Sequence, residues 1–482
     1  MLSTLFRWEL RALRRDPACW TALTLAVLAL AFALLNGHRW RAQLDLTLAT
    51  AAQRDLTARA EARTAAARLD ATADTSVPPS RDPRTPAGYA GYGMAHFATL
   101  PAAPLAALTV GQSDLLPSKL QLVPAALPTL AANSEPENPR RLLLGRFDAA
   151  FAIIFLTPLF IIALAHALLA GERERGTLAL LLTQPLTLRT LFVGKLAPRV
   201  LLALLLLALL AAAFLLFPPA SRLSSSGLAA SAAPRLALWL AVALAYGAFW
   251  FALSAAVVTR PGGTATHAVT LTAGWLAFAL LIPAGINLAV KTLHPVPSRI
   301  ELILALRAAT DSATSEQSKL LAAYYEDHPE FAPANQVAGA AADANALRLA
   351  STAKIERDLA PVLARYESQL ARQQSLVARL AFLSPALLAQ SALADAAGTG
   401  TARHAAFVRQ AVAHHAELRA FFNPRILRRE KFTAWDDVPP FRYAEESTRT
   451  AATRIAPPLL ALAAAALALT AFAWRTLRHT TL

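Results

Sequence analysis

The stretch GERERGTLALLLTQPLTLRTLFVGK, which runs from Gly171 to Lys195, decides how this chain is organised. It separates two apolar runs, Phe147–Ala170 and Leu196–Phe217. Each run is long enough to cross the hydrocarbon core of a bilayer, which takes about 20 apolar residues. A charged link this short between two such runs predicts a loop on one face of a membrane.

The loop has the pattern of a short amphipathic helix. Gly176 can end one helix, Thr177 can cap the next, and Pro185 can end that one. Ahead of it, the sequence Glu-Arg-Glu-Arg at 172–175 supplies two acid–base pairs. The spacing predicts an apolar face made of Leu178, Leu181 and Leu182.

The same loop resembles the cytoplasmic loop of type-2 ABC exporter permeases, which in that family presents a coupling helix to the ATPase subunit. The residues that carry the resemblance are Glu172, Glu174, Gly176, Thr177, Leu178, Leu181, Leu182, Pro185, Gly194 and Lys195. The layout of the chain is similar to the branch of the family associated with multicopper enzyme maturation. The resemblance covers most of the chain, but only the loop is a specific motif. A generic charged loop between two helices is the alternative interpretation.

The composition is that of a membrane protein. Of the 482 residues, 56% are hydrophobic and 16% are charged, whereas soluble domains have roughly 45–50% and 25%. The net charge is +15, which can indicate nucleic-acid binding. No basic tract interleaved with aromatic residues is present, so we expect a lipid membrane and no nucleic acid as partner.

The apolar runs predict an all-α integral membrane protein with six transmembrane helices and two largely helical extracytoplasmic regions. We call these regions region 1 (37–146) and region 2 (291–454). The predicted spans are 19–36, 148–170, 196–217, 236–258, 267–290 and 455–474. The predicted cytoplasmic parts are an interfacial helix at 1–18, the coupling loop at 171–195 and a tail at 475–482.

Positive charges predict that both termini are cytoplasmic. The short segments assigned to that side carry Arg7, Arg11, Arg14, Arg15, Arg173, Arg175, Arg189, Lys195, Arg260, Arg475 and Arg478. The short outer connection carries Arg222 and Arg235. Abundant alanine, leucine and arginine with scarce lysine indicate a GC-rich bacterial source, and hence a bacterial inner membrane.

Several residues inside the spans have more than one interpretation. Pro158 is expected to kink the second span. Pro283 and Gly285 fit the broken, re-entrant helix that is usual after the fifth span in the family that the chain resembles. Arg199 is expected to extend to the cytoplasmic surface. Tyr246, Trp250 and Ser254 form one stripe on the fourth span. The stripe could line a transport surface, although helix packing is the more common role.

We predict no catalytic residue, cofactor or metal site. His414 and Glu417 have i, i+3 spacing beside His415, with His404 nearby, but one such pair is a weak zinc signal. One cysteine and two methionines offer few ligands for copper. No phosphate-binding loop occurs, so ATP hydrolysis is expected in a separate subunit. An intramembrane protease is disfavoured because only His166 lies well within a span.

Two functions remain for this sequence. In the first, the chain is the permease subunit of an ABC exporter, which pairs with a second permease subunit, as a homodimer or heterodimer, and binds ABC ATPase subunits. In the second, the ATPase stroke drives the outer helices as a lever on an extracytoplasmic partner, without moving a solute. The sequence does not identify a substrate.

Overall fold

The structure, a computed structural model, describes residues 2–72, 76–94, 96–124, 146–217, 226–295, 299–327 and 340–479. Of the described residues, 79% are helical. The helices are α1 (Leu2–Arg15), α2 (Pro17–Ala71), α3 (Pro86–Gly88), α4 (Ala149–Phe151), α5 (Thr157–Ala165), α6 (Ala170–Glu174), α7 (Thr177–Leu182), α8 (Leu188–Leu216), α9 (Ser226–Val258), α10 (Thr264–Leu276), α11 (Ile282–Leu293), α12 (Arg299–Ser315), α13 (Gln317–Asp327), α14 (Ala340–Leu380), α15 (Pro385–Ala397), α16 (Thr401–Leu427) and α17 (Thr448–His479).

Six helical segments in the described residues are long and apolar enough to cross a membrane. They are Pro17–Ala71, Ala149–Glu174, Leu188–Leu216, Ala232–Val258, Thr264–Leu293 and Thr448–Arg478. We number them as spans one to six. Each overlaps one of the six predicted spans, so the expectation of a helical protein with six helices long and apolar enough to cross a membrane is confirmed. The connection between the third and fourth spans, at 218–225, lies outside the described residues.

The first span is part of a single helix of 55 residues, α2. Its first half is apolar and its second half is rich in alanine, arginine and aspartate. The far end packs into a separate aromatic core through Ala62. There Arg63 pairs with Asp436, and the Lys431 ammonium donates to the Asp70 carboxylate at 2.8 Å. One helix therefore connects the membrane-length segment to region 2.

The second and fifth spans each contain a π-helical turn just before a proline. These turns are Ala152–Leu156, before Pro158, and Ala277–Leu281, before Pro283. Since proline has no N–H, the carbonyl four residues earlier loses its helical partner. In the second span that carbonyl belongs to Ile154, and the Tyr246 hydroxyl donates to it at 2.8 Å. Both spans continue as helices beyond the proline, so the predicted broken helix at Pro283 is wrong.

The fourth span forms the centre of the main core. Tyr246, Trp250 and Ser254 are each fully buried, and the span contacts the second, fifth and sixth spans and α15. The stripe predicted on this span is therefore a packing face. α15 is itself largely buried, and the Ser384 hydroxyl at its start donates to the Phe278 carbonyl in the π turn of the fifth span at 2.6 Å.

Region 1 contributes a small sheet to an otherwise helical protein. Strand β1 (Phe97–Thr99) pairs antiparallel with β2 (Lys119–Gln121). The strands border an aromatic core in which Tyr89 contacts Phe432 and Trp435. Residues 125–145 of the same predicted region lie outside the described residues. Regions 1 and 2 thus share one core.

Candidate functional site

Two short helices, α6 at the end of the second span and α7 in the loop that follows, are joined by Arg175 and Gly176. α6 ends at Glu174, and Gly176 has φ = +72°, a left-handed conformation that glycine adopts without strain. α7 then runs to Leu182. The predicted helix break is therefore confirmed. The predicted cap is wrong, because Gly176 occupies the N-cap position and the Thr177 hydroxyl donates instead to the Glu172 carboxylate.

A buried network of charges joins this loop to two other helices. The Lys195 ammonium donates to Glu172 Oε1 at 2.9 Å and to Glu9 Oε1 at 2.6 Å. Arg199 Nη1 donates to Glu9 Oε2 at 3.0 Å, and its Nε donates to the Leu164 carbonyl at 2.8 Å. Glu9 belongs to α1, and Lys195 and Arg199 belong to the third span. Arg199 is thus held in this network, and its extension to the cytoplasmic surface stays a prediction.

The network is electrically balanced in its buried part. Glu9, Glu172 and Lys195 are between 2% and 6% exposed, and Arg199 is largely buried. Two carboxylates therefore face two cations. Arg175 adds a bond to Glu172 at 2.9 Å from an exposed position. Removing one member of such a set leaves a buried charge without a partner, at a cost of about 3–5 kcal/mol.

Glu174 makes a second connection, to the fifth span. Its carboxylate accepts the Thr264 backbone N–H at 2.7 Å and the Thr264 hydroxyl at 2.9 Å. Thr264 begins α10, so the negative charge also lies at the positive end of that helix dipole. The expectation of two local acid–base pairs is correct only for Glu172, which pairs with Arg175, since Glu174 binds a different span.

Gly194 permits α1 to lie close against the third span. A Cβ atom added at Gly194 would lie 3.0 Å from Leu5 Cδ2 and 3.2 Å from Leu5 Cβ. Glycine thus allows the close helix contact beside the Glu9–Lys195 ion pair. Pro185 lies exposed in the turn between α7 and the third span.

α7 presents a partly apolar outer surface. Leu178 is 5% exposed, Leu181 and Leu182 are half-buried, and Leu180 is 69% exposed. The three predicted leucines therefore form the inner face of the helix. Leu180 and the exposed Ala179 were absent from the prediction, although they follow from the helical period because they fall between the buried positions.

Of the ten predicted residues, Glu172, Thr177 and Lys195 are in direct contact, and Gly176 sets their geometry. Glu9, Arg199 and Thr264 also belong to the site, although they were not predicted as site residues. Glu9 had a usable signal, because it is an acidic residue within an otherwise basic amphipathic helix. No sequence signal marks Thr264, because its role depends on a contact with Glu174, which lies 90 residues earlier in the sequence.

His404, His414 and His415 of region 2 each contact another protein group. The Nε2 atoms of His414 and His96 are 2.9 Å apart, and His414 Nδ1 is 3.0 Å from Glu417 Oε2. His404 and His415 each bond a backbone carbonyl instead. In the part of the chain that the structure describes, no group of three histidine, cysteine, aspartate or glutamate side chains could hold a metal ion.

Comparison with known proteins finds one family. A family model described as "Domain of unknown function (DUF3526)" matches residues 299–444. This match covers α12 to α16 and most of region 2, and it does not include the α6–α7 loop. No curated protein matches the chain. No solved structure matches it either.

Proposed function

We propose that this chain is the membrane-spanning permease subunit of an ABC transporter of the type-2 exporter class, coupled through α6 and α7 to a separate ATPase subunit. One observation carries the proposal. The exposed helix α7 follows α6, in which Glu172 binds Lys195 of the third span and Glu174 binds Thr264 of the fifth span. Lys195 in turn binds Glu9 of α1. A push on α7 therefore reaches three membrane-associated helices.

The proposed stroke follows from these contacts. Closure of the ATPase subunits on nucleotide displaces α7, and α6 moves with it. Because Glu172 and Lys195 are buried and paired, separating them costs more than moving them together. The third span and α1 therefore follow α6, and Glu174 carries the start of the fifth span through Thr264. The ATPase supplies the chemistry, and this chain supplies no catalytic residue.

We also propose how the permease subunit assembles and in which membrane it lies. Two permease subunits, identical or different, pair in the inner membrane of a bacterium and bind two ATPase subunits. Both termini and the α6–α7 loop lie on the cytoplasmic side, consistent with the concentration of arginine in the short segments on that side. The exported substrate stays unassigned.

The test is co-purification of the tagged chain in mild detergent, with identification of the proteins that accompany it. A nucleotide-binding ATPase is expected with the wild-type chain. Leu180→Asp should abolish its binding, because Leu180 is exposed on α7 and its loss removes no internal contact. Leu56→Asp is the matched control, since Leu56 is 61% exposed on the polar half of α2.

A different result is expected for Glu174→Gln. This change weakens the bonds to Thr264 without altering the outer surface of α7, so the ATPase should still bind while ATP hydrolysis no longer drives transport. If no ATPase accompanies the wild-type chain in any of several mild detergents, or if Leu180→Asp retains it fully, the proposed coupling surface is wrong.

A second candidate function is a mechanical lever that acts on a partner of regions 1 and 2 without solute transport. It is favoured by α2, which runs uninterrupted from the first span to the aromatic core shared by those regions. A displacement of the first span would thus reach residues about 50 positions further along the same helix, at a rise of about 1.5 Å per residue.

A further inference from the structure

A large apolar cavity lies among the first, second, third, fourth and sixth spans. Its volume is about 740 Å³, within the range of about 300–1,000 Å³ that is typical of small-molecule sites. Alanine, leucine, isoleucine and phenylalanine make up most of its lining. The hydroxyls of Thr157 and Thr470, which also line it, bond carbonyls of their own helices. Water in the cavity would therefore find few partners, and a hydrocarbon occupant is favoured.

The cavity is open between the helices. Leu25, Leu204 and Leu244 line it, and each is more than 40% exposed. These leucines belong to the first, third and fourth spans, whose exposed apolar surface fits a bilayer environment. A hydrocarbon chain can therefore enter from the side, without crossing a polar layer.

Two arginines lie at one end of the cavity. The Arg189 guanidinium stacks 4.8 Å above the ring of Trp474, which is part of the lining, and Arg189 lies one turn before the lining residue Phe192. Arg478 directly follows the lining residue Leu477 and is close enough to Arg189 for the two charges to repel. Within the described ranges, neither guanidinium forms an ion pair with a carboxylate. The end of the cavity is thus positively charged and complementary to an anion.

We propose that this cavity binds an acyl chain of an anionic bilayer lipid, with the headgroup against Arg189 and Arg478. The cavity supplies the apolar surface for the chain, and the two arginines supply the charge that selects the headgroup. The site is separate from the α6–α7 loop, and it does not depend on the proposed coupling to an ATPase.

The test uses the full chain in nanodiscs of phosphatidylcholine with a photoreactive lysophosphatidylglycerol, whose acyl chain carries a diazirine. Cross-linked peptides are mapped by mass spectrometry. In the wild-type protein, label should concentrate on cavity-lining segments, several-fold above the level on the exposed surface of the fifth span. Unlabelled lysophosphatidylglycerol should compete several-fold better than lysophosphatidylcholine of the same chain length.

Gly247→Phe is the variant that fills the site. Gly247 lines the cavity, and a Cβ atom added there meets no atom within 4 Å. The substitution should reduce labelling of the cavity about tenfold. Gly274→Phe is the matched control, because its Cβ also meets no atom within 4 Å and Gly274 does not line the cavity. Labelling at the wild-type level in Gly247→Phe would overturn the chain site.

Substitutions of arginine test the preference of the site for an anionic headgroup. Arg189→Gln combined with Arg478→Gln should retain the label in the cavity but remove the preference for the anionic competitor. Arg475→Gln, which changes an exposed arginine on the same helix, should keep that preference. Equal competition by the two lipids in the wild-type protein would overturn the headgroup assignment, even if the chain still labels the cavity.

Discussion

At the residue scale, Lys195 is the single cation between two buried carboxylates, Glu9 and Glu172. Its substitution by methionine keeps most of the side-chain volume but leaves both carboxylates short of a partner. We predict a loss of about 3–5 kcal/mol in unfolding free energy, measured by denaturant unfolding of the purified protein in detergent. Arg175→Met is the control, since this exposed member of the network should contribute only about 0–1 kcal/mol.

The stabilities of the Lys195→Met and Arg175→Met variants show whether the charge network is buried or lies at the surface. If Lys195→Met were as stable as the wild-type protein, the cluster would have to be hydrated, and it could not transmit force from α6. The double substitution Lys195→Met with Glu172→Gln removes one charge of each sign. It should recover part of the lost stability, because the buried charges that remain, Glu9 and Arg199, are then balanced.

His96 predicts how the core shared by regions 1 and 2 responds to pH. Burial, with smaller contributions from the charges of His414 and Arg59, lowers the pKa of His96 from 6.5 to about 4. The folded state therefore keeps His96 neutral in a range where the unfolded chain takes up a proton. Its contribution to stability is complete above about pH 6.5 and is lost as the pH falls towards 4.

The measurement is the pH dependence of hydrogen exchange in α16 and β1. Protection should decrease between pH 6.5 and 4 after correction for the intrinsic exchange rate. His96→Phe keeps a ring of similar size against His414, which stacks on His96 at 5.1 Å, and should make this decrease smaller. An equal pH response in His96→Phe would assign the effect to a group other than His96.

At the scale of elements, the π turns link proline positions to contacts between spans. Pro158 frees the Ile154 carbonyl, and the Tyr246 hydroxyl satisfies it. We predict that Tyr246→Phe costs about 1–3 kcal/mol because a buried carbonyl is left without a donor. Pro158→Ala restores an N–H in the helix and should reduce the cost of Tyr246→Phe.

This pair of changes forms a double-mutant cycle, read out by thermal or denaturant unfolding in detergent. A coupling energy near zero would mean that the Tyr246 hydroxyl and the proline act independently. Tyr443→Phe serves as the control for loss of a tyrosine hydroxyl, because its bond to the Arg403 carbonyl is long, at 3.4 Å.

Secondary-structure elements were predictable where the sequence pattern lies within a single helix. Six apolar runs, the glycine break at Gly176 and the inner face of α7 follow from length, charge and a period of 3.6 residues. The π turns and the continuous helix through Pro283 did not follow from the sequence pattern. They are accompanied by contacts from distant parts of the chain, such as that of the Ser384 hydroxyl with the Phe278 carbonyl. The partner of Glu174 was unpredictable for the same reason.

At the scale of the whole molecule, the contacts form a continuous path from α7 to region 2. Glu172 binds Lys195, Lys195 binds Glu9 on α1, and α1 is followed at once by α2, whose start is capped by Asp16 through a 3.0 Å bond from the Ala18 N–H. The far end of α2 is fixed by the Arg63–Asp436 and Asp70–Lys431 pairs. Such a path is a physical route for coupling, and a perturbation midway along it tests whether it is used.

We predict that a flexible point in the middle of α2 disconnects the two ends. Ala49→Gly with Thr50→Gly keeps the length and register of the helix, while each glycine weakens it by about 1 kcal/mol. The readout is hydrogen exchange in the purified complex with its ATPase, with and without a non-hydrolysable ATP analogue. In the wild-type complex, nucleotide should change protection both in the α6–α7 loop and in α16.

In the double-glycine variant, the change at α6–α7 should persist, while the change in α16 should be lost. The matched control is Ala364→Gly with Arg365→Gly, which places the same softening at exposed positions of α14, off the path. If nucleotide still changes protection in α16 fully in the α2 variant, α2 does not transmit the movement of the first span to region 2. The lever function is then wrong, while the permease function is unaffected. If α16 responds in neither protein and transport continues, movement of the spans alone is sufficient for the work of the ATPase.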